Sequence, residues 1–588
     1  DNRKNWCTKH VVLLLAASDS CIHVQSFGES KTLNKLCKLA GHEDWVRSVD
    51  YTFFEDSLFI ASGAQDNFIR VWKLTETDES KSSFYERYFS LEDKLIMYTT
   101  ETVLIGHEEW VYSVKWIQTK NTLRILSSSM DKAMVLWEKP KEHSELWIEK
   151  MRVGEVGGNS LGFLGSSSSN DGSVIVGHSF NGALHLWTYE ESSDSWKPGV
   201  IVGGHFGEVK DIVWEPFGRY LLSCSFDETS RLHSFWSENN SWHEINRPQI
   251  HGYEINCISM INPYMFVSGA DEKVLRVFRA TKCFVKSIEH ISKYEVESGD
   301  QLAEFATVPA LGLSNKAVFD EKIETDSFFK AVVLEKPPTE DNLLQNTLWP
   351  EIQKLYGHVY EVFAVAVSTK LGVIASASKA TKQEYASIIL WDIKNNFKQI
   401  NQLCFHQLTV TQIRFSPNDE YLLTVSRDRT WCLYDCSDRE FNRVAFSDKK
   451  TGVHSRIIWD AAWTPDTKYF VTVSRDKKAI CWSLEGKSKE LTVKPCSEYS
   501  ASDSITSVDI DSKIRSVCDN SYLIALGLEN GQVNLFQWTL SKGWNILQTH
   551  HLTISRIRFA PNASDNETKF ATCSSDRMVR VFKICFNQ

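Results

Sequence analysis

The chain has 588 residues, too many for one ordinary hydrophobic core, and its 42% hydrophobic and 12% aromatic content excludes wholesale disorder. A formal net charge of −10 excludes bulk polyanion binding by the whole molecule and leaves that role only to a local basic face. Fourteen cysteines without a CxxC pair read as reduced thiols of a cytoplasmic, also nuclear, protein, and no apolar run reaches the ~20 residues that span a bilayer.

In chain order, residues 11–18 (VVLLLAAS) follow Lys9 and imitate a signal-peptide core. The stretch LLLAASDSCIHV nevertheless has the layout of FIASGAQDNFIRVW at 59–72, which predicts a buried strand in a partial unit at about residues 9 to 27. The chain starts without Met and inside that strand, so it reads as a fragment lacking earlier repeats.

The repeating unit is clearest at 106–137, GHEEWVYSVKWIQTKNTLRILSSSMDKAMVLW. It opens on Gly106-His107, alternates apolar and polar residues as strands do, and closes on Trp137. Residues 41–72 keep the same register. His42, Ser62, Asp66 and Trp72 are separated by 20, 4 and 6 residues, as are His107, Ser127, Asp131 and Trp137. Further openings fall at a degenerate Gly157, then Gly204-His205, His251-Gly252, Gly357-His358, His406, His454, Ser504 and His550. Closings at Trp187, His233, Phe278, Trp391, Tyr434, Trp482, Phe536 and Phe582 bring the complete units to ten. Nine residues after an opening His stand Tyr51, Trp116, Trp214, Phe415, Trp463 and Phe559, positioned to fill the space between neighbouring sheets. Two inserts interrupt the series. Residues 74–102, acidic and aromatic, read as a surface loop between units. Residues 280–350 contain ATVPALGLSNKAV at 306–318 and EKPPTEDN at 335–342, and their second half has the composition of a linker.

His358, His406 and His454 stand 48 residues apart, a little above the 40 to 45 of WD40 repeats, and Trp391-Asp392 is a literal Trp-Asp pair. The units resemble WD40 repeats of one four-stranded blade each. The resemblance implies an all-β fold of β-propellers, rings whose radial packing hides sheet edges. Seven openings counted back from the C-terminus land on Gly204. The expected architecture is tandem WD40 propellers: residues 1–200 as about three and a half C-terminal blades of an incomplete first one, and 201–588 as a seven-bladed second one carrying the insertion 280–350.

Ser, His and Asp recur together, which suggests a hydrolase triad. A nucleophile needs one such set, whereas His42/Ser62/Asp66/Trp72 and His107/Ser127/Asp131/Trp137 repeat, with His454/Thr472/Asp476/Trp482 as a later variant. They read as buried structural tetrads. No Gly-rich phosphate loop, zinc-spaced cluster or HExxH is present, so neither catalysis nor a cofactor or metal is expected. The departure from furniture is a set of arginines. Arg427 and Arg429 flank Asp428, Arg475 precedes Asp476, and Arg456 follows His454 by two. In antiparallel blades the opening loop and the turn that carries Asp emerge on one edge, so all four converge on a rim, with Lys477 and Arg577 in equivalent turns. Exposed arginines are often merely solvated. Four of them on a ring of negative total charge repel one another, a cost that an acidic protein surface or a phosphate backbone would relieve.

Several segments are not generic to such repeats: GHEDWV at 41–46, RPQIHGYEI at 247–255, ATVPALGLSNKA at 306–317, LWPEIQKLYGH at 348–358 and HSRIIWDAAW at 454–463. With the tandem-propeller plan they are similar to the family of the second subunit of the Elongator complex, from the fourth blade of that family's first propeller onward. The resemblance implies a non-catalytic scaffold that docks the catalytic and large scaffold subunits in wobble-uridine modification of transfer RNA. The radical SAM and acetyl-CoA chemistry belongs to the catalytic subunit. It also implies a functional role for the arginines matching Arg427, Arg429, Arg456 and Arg475. Two other classes stay open on sequence: direct binding of transfer RNA or another polyanion as the main task, and, by fold analogy alone, a substrate receptor of a ubiquitin ligase.

Overall fold

The computed structural model describes residues 11–27, 32–55, 57–78, 86–91, 94–118, 122–139, 146–154, 162–250, 252–294, 302–308, 314–319, 330–448, 451–486, 491–514, 521–538 and 542–586. The openings at Gly157 and His251 lie outside them. The chain divides into two compact units, Asp1–Gly203 with Thr339–Asp341, and Gly204–Pro338 with Asn342–Gln588.

Each unit is a series of antiparallel sheets whose strands mostly follow one another in sequence. The fifth sheet of the second unit shows how local chemistry builds one. Its strands are Ile458–Trp463, Tyr469–Ser474, Lys478–Glu485 and Thr492–Ser500. The β-branched second strand is buried at all but its first residue, because neighbouring sheets cover both faces. The outermost strand, without such cover, is exposed or half-buried throughout.

Among the described residues the second unit has seven such sheets, with inner strands Val209–Trp214, Ile255–Asn262, Val362–Ser368, Val410–Phe415, Ile458–Trp463, Ile505–Ile510 and Ile554–Phe559. The first packs on the last and closes the ring. Val209, Ile212, Trp214 and Leu221 form one cluster with Ala560, Ala571 and Cys573, and the Trp214 indole donates to the Arg558 carbonyl at 2.9 Å. Inner strands of neighbouring sheets do not pair as a ladder, and carboxylates bridge them. Asp211 accepts from the Ile258 amide, Asp460 from Val508 and Asp509 from Phe559.

The first unit holds a three-stranded sheet (Val11–Ala16, Cys21–Phe27, Leu33–Ala40), a five-stranded sheet and two four-stranded ones. Here the structure corrects three expectations. Residues 74–102 are not simply a loop: Lys94–Leu104 pairs along the whole of Ile69–Thr77, and Arg87–Leu91 adds a further strand, because Leu91, Ile96 and Tyr98 bury against Ile22, Val24 and Leu39. Val11–Ala16 is a strand, yet Val12, Leu13 and Leu15 are exposed, since no described strand flanks it on the side away from Cys21–Phe27. Tyr51 is 58% exposed, whereas Trp214, Trp463 and Phe559 are buried between sheets.

The insert after Ala280 is ordered where it is described. Helix α1 (Lys282–Ser292) is capped by Thr281, whose hydroxyl accepts from the Phe284 amide at 3.2 Å, and it buries Phe284, Val285, Ile288 and Ile291. Its second half does not behave as a linker at its end. Leu343, Leu348 and Trp349 are buried, Trp349 packs on Phe266 and Phe284, and Thr347 hydrogen-bonds Asn246 and Arg247. Strand Glu351–Tyr356 then completes the second sheet.

Candidate functional site

The tetrads are chains of hydrogen bonds with a single direction. Trp482 Nε1 donates to Thr472 Oγ1 at 2.9 Å, Thr472 Oγ1 lies 2.9 Å from His454 Nε2, and His454 Nδ1 lies 3.2 Å from Asp476. The indole donates to the hydroxyl oxygen, and the carboxylate accepts from Nδ1, which in a neutral imidazole leaves Nε2 to accept from the hydroxyl. Asp476 also accepts from the Ser455 and Lys478 amides, which ties the opening loop to the turn between the second and third strands. His42/Ser62/Asp66/Trp72 and His107/Ser127/Asp131/Trp137 repeat the pattern at 2.8 to 3.2 Å. His205, Ser223 and Asp227 form a further set in which His233 takes the place of Trp, and His406 and His550 head two more. Burial pushes the turn carboxyls up, but hydrogen bonds from histidine and backbone outweigh it and bring Asp428 down to about 2. His358, whose set has no Asp among its partners, is lowered by burial to about 4.

These turns place the arginines. Within the fifth sheet the Arg475 amide donates to the Ile457 carbonyl, and Ser474 Oγ donates to the Arg456 carbonyl at 3.2 Å, so Arg456 and Arg475 share an edge. In the fourth sheet the Arg427 amide donates to Thr409 in the same way. Thr411 Oγ1 reaches the Ile458 carbonyl at 2.6 Å and aligns the two edges side by side. Asn67, Lys132, Glu228, Arg429, Lys477 and Arg577 each follow the turn Asp and have φ between +64° and +72°, a left-handed conformation that turns the side chain outward.

Arg427, Arg429, Arg456, Arg475 and Arg577 are exposed, and among the described residues their guanidinium groups have no hydrogen-bond or ion-pair partner. The first four lie together on the fourth and fifth sheets. Lys477 differs, because its ammonium donates to the Ser502 carbonyl at 3.0 Å. Arg577 stands apart on the seventh sheet, beyond the sixth, whose turn carries Glu529.

Sequence reading missed the charged centre of the ring. Arg414, Arg556 and Arg558 on inner strands stand 3.3 to 3.9 Å from Asp211, Asp460 and Asp509, beside a cavity of about 150 Å³ lined in part by Ser259, Ala366 and Gln412. It also missed that three of the distinctive segments meet. The Asn315 amide donates to the carbonyls of Pro248 and Trp349, both at 2.8 Å, and so joins residues from the 247–255, 306–317 and 348–358 stretches in one buried knot. Arg247 in that knot is itself buried on Glu244, which also pairs with Arg231.

Comparison with known proteins adds two findings. The WD domain, G-beta repeat family matches residues 33–73, 98–138, 196–234, 397–435 and 448–483. The span 397–435 runs from an outermost strand, Lys398–Leu403, through the first three strands of the next sheet, so the sequence repeat is offset from the blade by one strand. Elongator complex protein 2 of Danio rerio is 41% identical, covering 97% of this chain and 79% of its own length. The proteins of that name from Homo sapiens and Saccharomyces cerevisiae are 40% and 32% identical, each over 98% of this chain and over 78% and 79% of their own lengths.

Proposed function

The chain belongs to the Elongator complex protein 2 family, and from that premise we propose that it is a non-catalytic scaffold subunit of the Elongator complex. In this reading it docks the catalytic and large scaffold subunits for wobble-uridine modification of transfer RNA, in the cytoplasm and also the nucleus. The observation that carries the docking role is the arc of Arg427, Arg429, Arg456 and Arg475. Four guanidinium groups on adjacent sheets, without internal partners, invite an acidic protein surface. A non-catalytic role is supported by where the Ser, His and Asp side chains go. In each tetrad the hydroxyl is hydrogen-bonded to histidine and buried, with Ser62, Ser127 and Thr472 at 0% exposure.

The second reading, direct binding of transfer RNA, rests on the same unpaired arginines. Binding of the full chain to each purified Elongator subunit and to transfer RNA, titrated with salt, separates the two. Phosphate contacts release condensed counterions and lose affinity with a log–log slope of about −0.7 to −0.9 per contact, whereas arginine–carboxylate pairs of a protein interface are only screened by salt. The docking reading expects subunit binding that falls with salt less steeply than transfer RNA binding and is lost in R427A/R429A/R456A/R475A. Equal subunit binding by that variant would remove the arc from the interface.

A further inference from the structure

The first unit presents a surface of different chemistry at the equivalent edge. In each sheet a residue of the opening loop accepts, through its carbonyl, from the amide of the residue before the turn Asp or its equivalent. In the second unit these pairs include Thr409 with Arg427 and Ile457 with Arg475. In the first they are Trp45 with Gln65, Trp110 with Met130 and Gly162 with Phe180. Two loops of the first unit therefore carry an indole where the second carries Thr409 and Ile457, and Gln65 and Met130 stand where the second carries Arg427 and Arg475.

Trp45 and Trp110 are 49% and 42% exposed, unlike the buried tetrad indoles Trp72 and Trp137. Between them lies Arg47. Its guanidinium carbon is 5.3 Å from the Trp45 ring, 6.0 Å from Trp110 and 5.4 Å from Tyr112, and its Nε lies 3.1 Å from the Gln65 side-chain amide. Glu43, Asp44, Glu108 and Glu109 beside the two indoles in sequence are all exposed. Two half-exposed indoles from successive sheets, already holding one guanidinium and set among four carboxylates, have the chemistry that takes cationic side chains flanked by apolar ones.

We propose that Trp45, Trp110 and Tyr112 form a docking surface for a basic peptide segment of a partner protein, whose Lys or Arg stacks on the indoles as Arg47 does. Glu43, Asp44, Glu108 and Glu109 meet its charge. Nucleobases also stack on indoles, but the four carboxylates repel the phosphates that come with them.

The test titrates the full chain with a labelled peptide of alternating Arg and Leu, followed by anisotropy. W45A/W110A is expected to weaken binding by roughly tenfold or more, as loss of central aromatic anchors does. E43Q/D44N/E108Q/E109Q is expected to weaken it and flatten its salt dependence, while E254Q/E361Q, on the second unit, leaves it unchanged. Parent-like binding by W45A/W110A overturns the proposal. So does a loss in E254Q/E361Q in proportion to its two removed charges, about half that of the four-fold variant, which would mean attraction by net charge alone. So does a single-stranded RNA of matched length that binds the parent through these indoles in place of the peptide. Should W45A/W110A fail to fold, W110A alone and the carboxylate set carry the same test.

Discussion

Thr472→Val is the sharpest perturbation of the tetrad. The substitution keeps the shape of a side chain that is 0% exposed and removes only its hydroxyl. Two buried groups then lose their partners, the Trp482 indole hydrogen and His454 Nε2. At ~1–3 kcal/mol for each unsatisfied group, the loss comes to ~2–6 kcal/mol. Thr472→Ser keeps the hydroxyl found at Ser62 and Ser127, and is expected to cost only the missing methyl, about 1 kcal/mol. Trp482→Phe removes the donor, so the pair T472V/W482F orphans only His454 and should be less destabilised than the sum of the singles by ~1–3 kcal/mol. Hydrogen exchange at the Ser455 and Lys478 amides, which Asp476 holds, reads the local opening, and urea unfolding reads the global cost. A T472V variant within about 0.5 kcal/mol of the parent, with unchanged exchange at both amides, would refute the network as the element that holds these turns.

Three further outcomes follow from particular residues. His233 and His358 are lowered by burial from 6.5 to about 4, so the unfolded chain takes up their protons first; stability is complete above pH 6.5 and is lost as pH falls toward 4, by about 3 kcal/mol per site. Unfolding measured across that range should show the slope, and His358→Gln should flatten it. Asn315→Ala leaves the Pro248 and Trp349 carbonyls without that donor and should cost about 2 kcal/mol or more, visible as a lowered thermal midpoint. Arg429→Gly relieves a φ of +72° and should unfold about 1 kcal/mol later than Arg429→Ala in denaturant, since only glycine takes that conformation without a Cβ clash.

The repeat was legible because its chemistry is local: His, Ser or Thr, Asp and Trp recur at fixed spacing, and the bonds from His454 to Thr472 and Asp476 show why the spacing is rigid. The turn then dictates where Arg427, Arg429, Arg456 and Arg475 stand, so their shared edge could be read from position alone. What was not legible depends on residues far apart in sequence. The ion pairs among Arg414, Arg558 and Asp460 exist because inner strands from separate sheets converge. Asn315 reads as an ordinary insert residue until Pro248 and Trp349 are seen on either side of it. Strand Lys94–Leu104 was taken for a loop because its acidic flanks mask the alternation that buries Ile96 and Tyr98. Lys477 looked equivalent to its neighbours, and only the Ser502 carbonyl sets it apart.

The most direct test of the scaffold role is quantitative mass spectrometry of what co-purifies from cells with the tagged chain and with R427A/R429A/R456A/R475A. The parent should bring down the large scaffold and catalytic subunits of Elongator, and the variant, with an unchanged unfolding profile, should lose the subunit seated on the arginine arc. A parent that recovers neither subunit, or a variant that recovers both at the parent's level, would contradict the account.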